Sequence, residues 1–228
     1  MAEVGTVIVT GGASGLGAAV ARAVAARGGT PVVLDLNEPP DGFEYERVDL
    51  ADAREAEAVV RRVAERHGGL GAAVTAAGVD SCGRIEDVDP EQWDRVVAVN
   101  LLGTAAVVRA ALPHLERSSG RVVTVASTLG LRALSDATAY CASKFGVIGF
   151  TRALAAEAAG RVGVTCLIPG GMQTAFFDGR DEQYKPPPGA KLAPPERVAE
   201  TVLFALTRPD GTEVRELVVC PSVEPSWP

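Results

Sequence analysis

The sequence predicts an α/β protein built on a doubly wound parallel sheet, and three observations carry that prediction. Short β-branched runs alternate with longer helical stretches along the chain. Several of the runs are apolar throughout, as strands buried on both faces must be. The connections between the two kinds of segment are short, which favours right-handed strand–helix–strand units.

The elements follow in order. A strand at Val4–Thr10 leads through a glycine turn into a helix over 15–28. Strands at Pro31–Leu36 and Phe43–Val48 precede a helix over 52–67, which Gly68-Gly69 terminates. After a strand at Ala72–Ala77 comes a long helix over 90–117. Asp89 is its expected N-cap, with Pro90 at the first helical position and Gln92 as reciprocal partner. Strands at Arg121–Ala126, Val164–Ile168 and Glu216–Cys220 alternate with helices over 137–160 and 194–207. The irregular stretch Gly170–Ala193 contains Pro186-Pro187-Pro188 and is expected to form a flap over the site. Residues 4–21 carry no charge and match a short membrane span in length, but the run from Thr10 to Gly15 breaks them into strand, turn and helix.

Composition narrows the function. At 228 residues and 47% hydrophobic, the chain supports a sizeable core, read as one domain over 1–228 with the flap at 170–193 inside it. Acidic residues outnumber basic ones, 29 to 22, and no basic cluster stands out, which excludes the footprint of a nucleic-acid binder. Cys82, Cys141, Cys166 and Cys220 lie far apart, and His67 and His114 are isolated. That pattern offers neither a metal site nor a disulfide framework and fits reduced thiols in the cytoplasm. No basic segment with an apolar stretch and cleavage site opens the chain, so neither secretion nor a membrane partner is expected.

Two motifs carry chemistry. The first is Thr10-Gly11-Gly12-Ala13-Ser14-Gly15-Leu16-Gly17, between a strand and a helix. Glycines allow a backbone to approach a pyrophosphate, which then sits on the free N–H groups of the helix start. Asp35, at the end of the next strand, is placed to accept hydrogen bonds from ribose hydroxyls and to repel a 2′-phosphate, favouring NAD over NADP. A simple strand–helix connection and a solvated loop acid are the plainer readings of these residues taken singly.

The second motif is Tyr140-Cys141-Ala142-Ser143-Lys144, whose Tyr140 and Lys144 share a helix face. A phenol titrates near pH ~10, and bringing it to about 7 needs about 4 kcal/mol of phenolate stabilisation, which a nearby lysine cation is expected to help supply. Tyr140 is then general acid for reduction and general base for oxidation. Ser127 ends an apolar strand, where a parallel sheet binds ligands, and is placed to orient a substrate oxygen. Asn100 lies inside the apolar stretch Val96–Leu102, either bonded to backbone or anchoring a water that connects Lys144 to solvent.

Taken together, these ordered motifs resemble the short-chain dehydrogenase/reductase family in its compact form, over nearly the whole chain. The resemblance implies a Rossmann-like sheet of about seven strands in the order 3-2-1-4-5-6-7. It implies catalytic roles for Asn100, Ser127, Tyr140 and Lys144, with Tyr140 and Lys144 also meeting the cofactor. Cofactor contacts follow at Gly11, Ser14, Gly15, Leu16, Gly17, Asp35, Asp49, Leu50, Ala77, Gly78, Pro169, Gly170, Met172 and Thr174. The implied activity is reversible hydride transfer between NAD and a secondary alcohol or carbonyl compound. An NADP-dependent ketoreductase and a non-catalytic NAD-binding regulator are the alternatives. Thr75-Ala76-Ala77-Gly78 departs from the family's usual Asn-Asn-Ala-Gly and lacks its amides. Leu129, Leu131, Leu134, Met172, Phe176 and Phe177 are candidates for an apolar substrate pocket. A homodimer or homotetramer is expected through helices 137–160 and 90–117, with Phe145, Ile148, Gly149, Arg152 and Ala156 around the contact.

Overall fold

The computed structural model describes residues 4–227. Seven parallel strands form one sheet in the order β3-β2-β1-β4-β5-β6-β7. They are β1 Thr6–Thr10, β2 Thr30–Asp35, β3 Glu44–Arg47, β4 Ala72–Thr75, β5 Arg121–Val125, β6 Gly163–Pro169 and β7 Glu216–Val219. The helices are α1 Gly15–Ala26, α2 Ala53–Arg66, α3 Pro90–Val97, α4 Thr104–Ser118, α5 Thr138–Glu157 and α6 Pro195–Leu206. Every expected strand and helical segment is present, with ends shifted by no more than three residues, as fraying ends allow.

Two apolar layers sandwich the central strands. On one face, Ile8, Leu34, Ala73 and Val122 pack against Val59, Val63, Val107 and Leu115 from α2 and α4. On the other, Val7, Val9, Val74 and Leu167 pack against Leu16, Val20, Val198 and Val202 from α1 and α6. The fully apolar strands are therefore apolar because both faces are covered. Strand β3 at the sheet edge is the polar exception, and its Glu44 and Glu46 pair with Arg66 of α2.

Three expectations are corrected. The helix expected over 90–117 is not continuous: residues Ala98–Gly103 form a π-helical segment between α3 and α4, with Asn100 inside it. A wide turn of this kind displaces the regular i→i−4 ladder and is common where a functional side chain must be re-aimed. Asp89 caps α3 through the Glu91 and Gln92 amides, but the Gln92 side chain accepts from Ser81 instead of reaching back to the cap. Ile148 does not face outward. It is 3% exposed and packs with Ala126, Val147 and Ile168, so the outward stripe of α5 is Ala142, Phe145, Gly149, Arg152, Ala153 and Ala156.

Candidate active site

A cleft of about 820 Å³ opens at the C-terminal ends of the strands, where open α/β sheets bind ligands. At one end the β1–α1 turn forms its floor, with Gly11, Ser14, Gly15, Leu16 and Gly17 all lining it. Backbone packs on backbone here. A Cβ on Gly11 would lie 2.7 Å from Ala77 Cα, and one on Gly17 would lie 2.2 Å from the Gly11 carbonyl oxygen. Ser14 holds the N-cap position but makes no side-chain capping bond. The first N–H groups of α1 are thus left to a ligand, as a bound pyrophosphate requires.

Asp35 also lines this end, with one carboxylate oxygen accepting from Ala13 N at 3.0 Å and the other from Asn37 N at 3.0 Å. It therefore braces the glycine turn as well as lining the cleft. Asp49 and Leu50 line the neighbouring wall. Asp49 accepts from Ala51 N and pairs with Arg95 at 3.0 Å, and despite partial burial these bonds hold its carboxyl below the usual range. Ala77 and Gly78 complete this wall. In place of a side-chain amide, Thr10 Oγ1 accepts from Ala77 N at 3.1 Å, while Thr75 Oγ1 is buried without a partner.

The other end holds the groups expected to handle the proton. Ser127 follows β5, and Tyr140 and Lys144 come from the first turns of α5; all three line the cleft. Lys144 Nζ donates to the Val125 carbonyl at 2.9 Å and lies 5.6 Å from the Tyr140 ring centre. Burial pushes the Tyr140 phenol up to about 12, against the Ser127 hydrogen bond, which acts to lower it. Burial likewise pushes Lys144 down to about 8. Desolvation thus outweighs the groups that act to lower the phenol, and Lys144, bonded to the Val125 carbonyl, is not among the causes that shift it.

Asn100 is fully buried and does not line the cleft. Its Oδ1 accepts from Val79 N at 2.8 Å, and its Nδ2 donates to Val79 O at 2.9 Å and Ser143 Oγ at 3.0 Å. Of the two readings of Asn100, the geometry matches the backbone-bonded one: the side chain ties the β4–α3 loop to α5 beside Lys144.

The wall over the cleft is the segment after β6. Pro169, Gly170, Met172 and Thr174 all line it, and Thr174 lies 3.3 Å from the position of a Cβ on Gly15, spanning the two halves of the cleft. The flap returns to the body at a bridge between Met172 and Ala193. Leu129, Leu134, Met172, Phe176 and Phe177 line the cleft as expected. Leu131 does not; it packs beneath, against the Ala126–Val147–Ile148 cluster.

Some participants were not singled out in the sequence. Asp80 and Arg180 form an ion pair at 2.7 Å across 100 residues of chain. Glu224 accepts from Gly171 N at 2.8 Å, and Ser226 bonds Thr128 at 2.7 Å, so the C-terminal segment forms part of the wall. Ser143 and Arg95 lie on predicted helices, and their helix faces were the available signal; the other four had no local signal.

A parallel sheet in this order, with a glycine turn and a Ser–Tyr–Lys group on one cleft, defines a nucleotide-linked oxidoreductase. Residues 5–185 match the short chain dehydrogenase family, and the chain belongs to it. It is 35% identical over 192 residues to the D-beta-hydroxybutyrate dehydrogenase of Cupriavidus necator, covering 78% of this chain and 74% of that protein. An uncharacterized oxidoreductase of Staphylococcus aureus strain MW2 is 32% identical over 94% of this chain and 96% of its own. Among solved structures, ligand-free aldohexose dehydrogenase of Thermoplasma acidophilum superposes with a TM-score of 0.86 at 25% identity, covering 94% of this chain and 92% of that one. Alcohol dehydrogenase of Thermococcus sibiricus, complexed with 5-hydroxy-NADP, gives 0.83 at 26% identity, covering 94% and 95%.

Proposed function

We propose that the protein is an NAD-dependent oxidoreductase interconverting a secondary alcohol and its ketone, with Tyr140 transferring the proton. The observation that carries this reading is the sharing of one cleft by Asp35 at one end and Ser127, Tyr140 and Lys144 at the other. The nicotinamide cofactor, when bound, accepts or supplies the hydride. Ser127 orients the substrate oxygen toward the phenol. Lys144, whose ammonium is poorly solvated, gains from any anionic or hydroxyl partner brought beside it, including a phenolate on Tyr140 or the ribose of the cofactor. Asn100 supports both by fixing Val79 to Ser143. Gly11, Ser14 to Gly17, Asp49, Leu50, Ala77, Gly78 and the Pro169–Thr174 segment complete the cofactor's seat.

NAD is favoured because the Asp35 carboxylate lines the ribose end. One observation favours NADP instead: Arg47 donates to the Leu36 carbonyl at 3.3 Å, putting a cation near that end. Catalytic efficiency with each nucleotide, read by NADH or NADPH absorbance over a panel of secondary alcohols, separates the two. NAD is expected to win by about tenfold or more, and Asp35→Ala to narrow the ratio. A wild type that prefers NADP overturns the assignment, and binding without turnover of any alcohol favours the regulator.

The same reading includes one domain over 1–228, a cytoplasmic location and a homo-oligomer. The exposed Phe145 on α5 and Leu102 beside α4 support a contact through these helices. Light scattering returning the 23.5 kDa of one chain would remove the oligomer.

A further inference from the structure

Arg180 lies in the flap, lines the cleft and is largely buried, its side chain 17% exposed. The guanidinium packs over an edge-to-face pair of rings, 4.8 Å from the centre of Phe176 and 4.7 Å from that of Phe177, whose centres are 5.5 Å apart. Asp80 lies behind it, outside the cleft lining, and takes a single N–H, at 2.7 Å from Nη2. The other Asp80 oxygen accepts from Ser81 N, so the pair is not bidentate. Nη1 makes one long contact, 3.4 Å to the Tyr184 carbonyl. Nε is buried and has no partner at all. A guanidinium carries five N–H donors in a planar fork, and a buried donor without an acceptor is costly. The site thus holds an oriented cation that lines the cleft, with Nε unpartnered inside the protein and Nη1 only weakly engaged.

The position suits a substrate. The Phe176 ring centre stands 5.6 Å from that of Tyr140 and 4.8 Å from the guanidinium carbon of Arg180, so the phenol ring and the cation both border Phe176. The chain has three lysines, and all of them line the cleft: Lys144, Lys185, which pairs with Glu182, and Lys191. The lining carboxylate at this end, Glu224, is committed to Gly171 N and Ser226. An ionised acceptor bonds a guanidinium about twice as strongly as a neutral one, and a carboxylate matches its fork.

We propose that Arg180 anchors the substrate and that the substrate is a short hydroxy acid or its oxo-acid partner, whose carboxylate sits on the cleft side of the guanidinium, within reach of Nη1. This rests on the alcohol–ketone reading above and names its substrate class. The carboxylate is held and not transformed. Asp80 acts from behind, orienting the fork, and Phe176 and Phe177 pack against it and shield it from water.

The test compares 2- and 3-hydroxybutyrate with their methyl esters, for wild type, Arg180→Met, Arg180→Lys and Asp80→Asn, with NADH and NADPH fluorescence titrations reporting cofactor binding separately. In wild type the acid of the better pair is expected to exceed its ester in kcat/KM by about 30-fold or more. Arg180→Met collapses that ratio toward one, and Arg180→Lys retains part of it. Asp80→Asn keeps an acceptor behind the guanidinium and removes a competing charge, so the ratio holds or rises. A latch that merely closes the flap would instead lower activity on acid and ester alike in all three variants.

An ester used as well as the acid by wild type, or a ratio that survives Arg180→Met, overturns the proposal. If Arg180→Met does not fold, the double variant Asp80→Asn/Arg180→Met removes both buried charges and is read in the same way. If neither nucleotide binds, the parent reading fails, and the titration shows it. If a reduced nucleotide binds but neither acid turns over, thermal melting with that nucleotide and butyrate decides: stabilisation of wild type but not of Arg180→Met supports the anchor, and no difference overturns it.

Discussion

The two ends of the cleft are built by different means. At the nucleotide end, backbone packs on backbone: Gly11 meets Ala77 and Gly17 meets the Gly11 carbonyl with no room for a side chain. At the carbinol end, side chains hold loops in place. Arg180 pairs with Asp80, Glu224 takes the Gly171 amide, and Asn100 ties Val79 to Ser143. The first construction fixes a shape that one family of ligands needs. The second leaves the shape to residues that can change singly, which is how one scaffold accepts many substrates.

The largest expected effect lies at the carbinol end. Tyr140→Phe keeps the ring against Phe176 and removes only the hydroxyl, so folding and cofactor affinity should hold within a few-fold. Turnover should fall by about 10³-fold, within the range for loss of a general acid–base group. The checks are steady-state kinetics and a nucleotide titration. Substantial residual activity would move proton transfer to another group and weaken the division between the two ends.

The nucleotide end should respond in stability. A Cβ at Gly17 falls 2.2 Å from backbone oxygen, where no side chain can yield. Gly17→Ala is expected to cost about 3 kcal/mol in denaturant unfolding and to abolish nucleotide binding. Gly179, in the flap, has open space around its Cβ position and no left-handed φ. There the same substitution should be neutral or stabilise by about 0.5 kcal/mol. Equal responses at the two glycines would erase the contrast.

This contrast also explains what could be read from the sequence. Backbone-built features leave a local trace: the glycine turn, the apolar strands and the Tyr140–Lys144 spacing each occupy a few adjacent residues. They were legible, and with them the strand order and the cleft position of every assigned cofactor contact. Asn100 fell behind the wall, because the π-helical segment that holds it has no sequence signature of its own. Asp80 with Arg180, and Glu224 with Gly171, are pairs distant in sequence, and no window of the chain holds both partners. Ile148 and Leu131 failed for a simpler reason, since apolar residues look the same whether they line a pocket or the core beneath it.

A smaller effect than that at Gly17 is a pH dependence at the carbinol end. Lys144 is buried beside Val125 O, and its pKa falls from an ordinary 10.5 to about 8 on folding. Between those values the unfolded chain binds more protons than the folded one, so this group makes stability rise with pH. Below about pH 8 both states hold the proton and the full cost of burying the charge is present; above 10.5 neither holds it and the cost is gone. Cys82 and Cys166 act with the opposite sign, since burial raises each from 9.0 to about 11, and Tyr140 does so above 10. The useful window is therefore pH 7.5 to 9, and the useful quantity is the difference between wild type and Lys144→Met. Wild type should gain about 1 kcal/mol relative to the variant across that window, measured by urea unfolding at each pH. A flat difference would mean that the folded protein solvates the Lys144 ammonium as well as water does. The carbinol end would then be wet, and the desolvation that raises Tyr140 would have to be withdrawn with it.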